Sequence, residues 1–417
     1  MSKAQSELLG FAAYYGLEEM AVKREHFELA LQSRIEKCIK SDFTFLLSDR
    51  KTTKTYSKIL IADTFFSDSF PIEELKKLFV KAIELNKSLG KGKEDEKIHF
   101  KFLLLNPFSE LARVRASALD SDSMSNIYWR LNTGLRNILQ ARGVDTNEDD
   151  YQTKQAKIEY LEFMLREIIK AQEDQHFEVA FTSEYTDLPC YIIGPYALKG
   201  VIFPDSTARL NPWWVYVDDP IEEKDSYTKY EKALKKIWEE LSINANEMLQ
   251  QVTQEKEKRR RIFVCWGGQS DNIKRLVFEQ IKNKKFDSND TFEAIDFEKI
   301  NNESTGNLIP NIYRQGIGLS SAAIVLLLGE DRISVTDRSN NSETKNVLRA
   351  RQNVVHEMGL VQSAFQPENV LIVMEEGIEQ PSNLDGQMVF KASRESLEQA
   401  DANLQLRINQ FLDSLLQ

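Results

Sequence analysis

The chain has 417 residues, of which 41% are hydrophobic, and its 54 Lys and Arg against 65 Asp and Glu give a net charge of −11. Only 17 glycines and 10 prolines punctuate it, which excludes collagenous or low-complexity sequence and favours long helices joined by short loops. The length implies more than one domain, and the acidic balance argues against broad binding to a phosphate backbone.

Residues 4–39 read as largely helical, with no proline to interrupt them. Ser41–Leu47 and Lys58–Ala62 read as short strands. Pro71–Leu85 reads as an amphipathic helix, with Leu75, Phe79 and Ile83 on one face and Pro71 suited to the first turn. Ile98–Leu105 has the alternation of a strand, 106–120 a turn leading into a helix, and 124–141 and 152–172 the pattern of two more helices. Strands are expected at Phe177–Phe181, Tyr191–Ile193, Val201–Phe203 and Trp213–Val217, and helix again over 226–258. The charged run Glu255–Arg261 closes this part as an exposed helix end.

From Ile262 the rhythm becomes strand, helix, strand, helix. Strands are expected at Ile262–Trp266, Phe292–Phe297, Ala322–Leu328 and Val370–Met374. Helices are expected at Ile273–Asn283, around Leu308–Gly316, at about 346–363 and over 394–416. A long polar loop, Gly329–Glu343, separates the third strand from its helix. Continuous apolar strands alternating with helices imply a doubly wound, flavodoxin-like parallel sheet, with ligands at the carboxyl ends of its strands. The expected organisation is an α/β or α+β regulatory domain over 1–245, a charged helical linker over 246–260, and this α/β domain over 261–417.

Cys38, Cys190 and Cys265 lie far apart, without metal-ligand or disulfide spacing, so neither a zinc site nor secretion is expected. The first twenty residues lack the basic and apolar regions of a signal peptide. The longest apolar run, Ala322–Leu328, is far short of the roughly 20 residues of a membrane span. A cytoplasmic protein without membrane contact is the expectation.

Three segments of the second domain can carry chemistry. In Trp266-Gly267-Gly268-Gln269-Ser270-Asp271, adjacent glycines admit close backbone approach, and Ser270 or Asp271 can cap a helix whose positive end suits a phosphate; the same residues also suit a plain tight turn. In Leu348-Arg-Ala-Arg-Gln-Asn-Val-Val-His-Glu-Met-Gly359, helical spacing lines up Arg349, Asn353 and His356 or Glu357, and a carboxylate set among apolar neighbours would have a raised pKa. An exposed face with Arg/Glu pairs is the plainer reading. The polar loop Asn301–Asn307, leading into Leu308-Ile309-Pro310, reads as a mobile wall of the cleft or as a solvent loop.

The string RARQNVVHEMG resembles the ARQNV-x-x-E-x-G signature of bacterial TIR-like domains in anti-phage effectors. IFVCWGG resembles that family's opening strand, ESTGNLIPN its G-x-T-I segment, and Gln380–Gly386 its P-S-D-x-x-G turn, so the likeness covers about residues 261–390. The resemblance implies a TIR fold and an enzyme that cleaves NAD+ to nicotinamide and ADP-ribose or a cyclic form. It assigns the catalytic carboxylate to Glu357 and substrate contacts to Trp266, Gly267, Gly268, Asp271, Gly306, Leu308, Arg351 and Asn353. NAD+ is then the substrate, and no cofactor or metal is expected. The family usually opens on a His-Gly pair where this chain has Trp266-Gly267, and its Thr-Ile pair is Leu308-Ile309 here. Such enzymes commonly build the site from adjacent protomers. Self-association into an oligomer or filament is therefore implied, set off by a trigger (cyclic nucleotide, nucleic acid or phage protein) at the first domain. The rival readings are a non-catalytic TIR adaptor acting by homotypic assembly, and a glycosidase for another nucleotide.

In the first domain, His99-x-Lys101-x4-Asn106 approaches the HxKx4D pattern of phospholipase D enzymes. The acid position is Asn, however, and His176 lacks the lysine of a second copy. A degenerate domain of that type, or an ordinary strand, are the two readings.

Overall fold

The computed structural model describes residues 17–21, 32–33, 35–36, 44–46, 53–55, 58–63, 72–89, 97–112, 123–144, 146, 154–173, 176–184, 190–194, 196–200, 213–217, 226–267, 271–286, 290–296, 300, 312–336, 344–381, 384, 388–399 and 402–416. They divide into two units, Met1–Val252 and Thr253–Gln417.

The first unit runs β1 (Leu17–Ala21), β2 (Thr44–Leu46), β3 (Thr53–Thr55), β4 (Lys58–Ala62), α1 (Ile72–Ser88), β5 (His99–Leu105), α2 (Ser123–Ala141), α3 (Lys154–Ala171), β6 (Phe177–Thr182), β7 (Cys190–Ile193), β8 (Tyr196–Gly200), β9 (Trp213–Val217), α4 (Ser226–Glu240), β10 (Ser242–Asn244) and α5 (Ala245–Arg260). Eight strands form one mixed sheet in the order β1-β9-β8-β7-β4-β5-β6-β10. Its centre, β4-β5-β6, is parallel, and the flanking pairs are antiparallel. Strand alternation sends Ile59, Ile61, Phe100, Phe102, Phe177 and Val179 to a core shared with α1, α2 and α3. Leu60, Leu103, Ala180 and Ile192 face the other way, toward Leu234 of α4.

One expectation changes here, and one strand joins those expected. Leu17–Ala21, inside the stretch read as helix, is a strand paired with Trp213–Tyr216 of β9; tertiary pairing overrides the helical pattern there. The strand after β7 is Tyr196–Gly200, joined to β7 through Gly194 at φ 59°, a left-handed conformation that glycine adopts without strain. Val201–Phe203 lies outside the described residues. Helix α5 runs through the expected linker, and its Ala245, Met248 and Val252 belong to the core of the first unit. Its basic end is ion-paired within the second unit: Arg259 to Glu255, Arg260 to Glu257, and both Arg260 and Arg261 to Glu293.

The second unit runs β11 (Arg261–Cys265), α6 (Asp271–Asn283), β12 (Glu293–Ile295), a π-turn (Ile312–Gly316) with a 3-10 turn (Ile317–Leu319), β13 (Ala322–Leu327), β14 (Asp331–Thr336), β15 (Thr344–Arg349), α7 (Gln352–Ala364), β16 (Val370–Glu375), β17 (Met388–Ala392), α8 (Arg394–Glu398) and α9 (Ala402–Ser414). Five strands make an all-parallel sheet in the order β12-β11-β13-β16-β17. In order of succession this is 2-1-3-4-5, the flavodoxin-like winding, as expected. Ile262, Val264 and Trp266 face the core shared with α6 and α9, while Phe263 and Cys265 face α7.

The stretch read as a polar loop and the start of a helix is instead a hairpin. β14 and β15 pair antiparallel from Asp331–Arg349 to Thr336–Thr344, and α7 begins at Gln352. The period-two pattern of Ile333 and Val335 against Val347 is a strand signal that the surrounding polar residues mask. Arg349 is consequently a strand residue and does not share a helix face with Asn353. Strand β17 is the fifth strand, which the sequence reading did not assign.

Candidate active site

In a 2-1-3-4-5 sheet the chain leaves β11 and β13 in opposite directions, and the crevice between their carboxyl ends is the switch point where such folds bind ligands. Cys265, Trp266 and Gly267 form one lip of this crevice, and Leu328, Gly329 and Glu330 the other.

Helix α7 lies over this sheet face. Its buried positions are Val354, Glu357, Met358 and Val361, the spacing of one helical stripe. Three of these are apolar. The fourth is a carboxylate, 9% exposed, set in the stripe that packs on the sheet. Burial pushes the Glu357 pKa up to about 7, against a hydrogen bond from the Cys265 thiol that draws it back down. The same burial, with the neighbouring Glu357 charge and hydrogen bond, pushes the Cys265 thiol well above its ordinary value, so it stays a protonated donor. Glu357 Oε2 is buried with no hydrogen-bond partner among the described residues. A buried carboxylate oxygen without a donor is costly to leave so, and here it is an acceptor ready for a hydroxyl.

A second carboxylate occupies the crevice. Glu330 follows the all-apolar β13, and its side chain is 2% exposed, with Oε2 3.1 Å from Nε of Arg351. Arg351 is the N-cap residue of α7. The Glu330 carboxylate lies so close over Gly267 that a Cβ there would collide with it. A side chain at Gly267 would therefore have to displace this carboxylate, and the ion pair joins the segment after β13 to the start of α7. Further along the sheet, Glu375 accepts from the Gly329 amide at 2.8 Å and from Arg394 Nη1 at 3.1 Å.

Of the residues expected at the site, Glu357, Arg351 and Gly267 come to this crevice. The Trp266 side chain turns to the opposite face of the sheet, 3% exposed, with Lys274 Nζ 3.9 Å from its ring centroid and Lys274 bonded to Asp296 at 2.8 Å. Asp271 is exposed at the first turn of α6, and Asn353 is exposed on α7. Gly268, Gly306 and Leu308 lie outside the described residues. Cys265 and Glu330 were not anticipated. Their one sequence signal is position, the inward-facing last residue of one buried strand and the first acid after another.

Residues 261–394 match the family model described as "CAP12/Pycsar effector protein, TIR domain". This segment is a TIR domain of the bacterial anti-phage effector type. The TIR domain holds the whole parallel sheet and the crevice, and its matched span ends at Arg394. A comparison with curated proteins finds no match. Among solved structures, one match is described as "Structure of TrmBL2, an archaeal chromatin protein, shows a novel mode of DNA binding", at 15% identity and a TM-score of 0.25, over 57% of this chain and 61% of that one. The chain thus spans less than two thirds of that protein's length. No described helix is long and apolar enough to cross a membrane.

Proposed function

We propose that the TIR domain is an NAD+ glycohydrolase, releasing nicotinamide and leaving ADP-ribose or its cyclic form, and that the protein serves as an anti-phage effector. The observation that carries this reading is Glu357: a buried carboxylate on α7, at the switch point of a TIR sheet, beside the Cys265 thiol and with its Oε2 without a hydrogen-bond partner among the described residues. An acceptor of that kind suits the hydroxyls of the nicotinamide ribose. Its charge, in a dry site, stabilises the oxocarbenium-like centre that develops as the glycosidic bond breaks. Nicotinamide leaves from a cationic ring, so no general acid is needed, and one carboxylate is enough. Arg351, whose Nε lies 3.1 Å from Glu330 Oε2, would face the pyrophosphate in this scheme. NAD+ is a substrate in this scheme, and neither a cofactor nor a metal is assigned a step.

The activity would be switched on by assembly. The loop over 303–309, which the resemblance implies at the protomer contact, lies outside the described residues. A trigger recognised by the first unit (cyclic nucleotide, nucleic acid or phage protein) would order the copies into an oligomer or filament. The adaptor reading, homotypic assembly without catalysis, is separated from this one by a single assay. Assembled wild type should consume NAD+ and release nicotinamide, and Glu357→Gln should not. Absence of NAD+ loss in every assembled state, with phage protection undiminished in Glu357→Gln, would favour the adaptor.

A further inference from the structure

A cavity of about 280 Å³ lies in the first unit, at the amino ends of β5 and β6, near the smaller end of ligand-site volumes. Four basic side chains line it, each from a different segment: Lys87 from the end of α1, Lys97 from the approach to β5, Arg142 just after α2, and His176 just before β6. Among the described residues that line it, none is acidic. In a chain of net charge −11, four bases converging from separate segments are not the residue of a periodic pattern. Helix ends favour nearby cations, which accounts for Lys87 and Arg142. Lys97 and His176 approach from the starts of β5 and β6.

The cavity is also built. The Phe79 and Phe100 rings stack at 4.1 Å and form an apolar floor. Asn86 grips the start of β5 twice, donating to the Ile98 carbonyl at 3.0 Å and accepting from its amide at 2.7 Å, so the α1 wall is fixed to the strand. The Arg142 guanidinium lies 4.8 Å from the Phe177 ring centroid, which orients its plane.

We propose that this cavity binds a small phosphate-bearing molecule, its anion held among Lys87, Lys97, Arg142 and His176 and its apolar or planar part resting over Phe79 and Phe100. Three cationic side chains and an imidazole from separate segments suit a tetrahedral anion, and the ring floor adds a preference for a sugar or base over bare phosphate. The site is independent of the reading of Glu357.

Isothermal titration of the full chain with AMP, ribose 5-phosphate, inorganic phosphate and adenosine tests it. AMP or ribose 5-phosphate should bind, the tighter of the two showing whether a base is part of the ligand. Phosphate should bind more weakly and adenosine not at all. Arg142→Gln and Lys87→Gln should each weaken binding by about tenfold or more, the loss of one charge-assisted bond, while Glu357→Gln keeps it. Lys87 is exposed, so its variant separates ligand loss from misfolding. No binding by any phosphate probe, or binding indifferent to Lys87 and Arg142, overturns the proposal.

Discussion

The Cys265 thiol donates to the Glu357 carboxylate, joining the last residue of the first parallel strand to the helix above it. Glu357 Oε2 has no hydrogen-bond partner among the described residues. With its pKa pushed up to about 7, Glu357 is only partly ionised at neutral pH. If the carboxylate form is the active one, kcat/KM for NAD+ should rise with pH through about 7 and level off above. Cys265→Ala removes the donor that lowers the pKa, so the rise should move to higher pH, and Cys265→Ser should restore part of the wild-type profile. A pH–rate profile unchanged by Cys265→Ala would detach the thiol from the site.

Burial of Glu357 also predicts a pH dependence of stability. An acid whose folded pKa lies above its unfolded one binds the proton more tightly when folded. Its contribution is therefore favourable at low pH and is lost as pH rises from the unfolded value of 4.5 through about 7. At pH 8 the buried charge then costs about 3 kcal/mol relative to pH 4. Glu357→Gln should accordingly raise the melting temperature at pH 8 and change it little at pH 5, measured by calorimetry. This is the opposite of what removing a structural ion pair would do.

The Glu330 carboxylate, paired to Arg351, opposes any side chain at Gly267. Gly267→Ala must push the buried carboxylate aside and strain its contact with Arg351, an overpacking expected to destabilise by about 1–3 kcal/mol. Glu330→Ala empties that space, so Gly267→Ala should be nearly silent in the Glu330→Ala background. A double-mutant cycle by urea denaturation reads this coupling directly. Additive effects would place the glycine requirement elsewhere.

These residues also show how far the sequence could be read. Ala322–Leu328 announced a central strand because only a sheet covered on both faces tolerates so unbroken an apolar run. Glu357 was legible through the family signature, whereas the helix pattern alone favoured an exposed face with Arg/Glu pairs; the buried stripe is Val354, Glu357, Met358 and Val361. The hairpin Asp331–Arg349 was not legible, because its alternation is diluted by charged residues on both strands. Neither was the side on which Trp266 lies. A strand's alternation becomes a direction only once the helices that cover each face are placed, and here α6 and α9 take the face that Trp266 occupies. Glu330 had only its place after an apolar strand to mark it: it comes beside Gly267 because β13 lies beside β11, a pairing across more than fifty residues of chain.

Gly359 distinguishes packing from assembly. It lies exposed in the middle of α7, and a Cβ added there meets nothing within 4 Å among the described residues. Glycine within a helix is about 1 kcal/mol less favourable than alanine, so Gly359→Ala should stabilise the isolated protein by about that amount, seen as a raised urea midpoint. The fold does not require glycine at this position. If the residue serves a close approach between neighbouring TIR domains, the added methyl should lower NAD+ consumption in the assembled state and shift the concentration dependence of assembly, while the monomer becomes more stable. Sedimentation and NAD+ loss measured on the same preparations separate these effects. Higher stability with unaltered assembly and turnover would remove this face of α7 from any protomer contact.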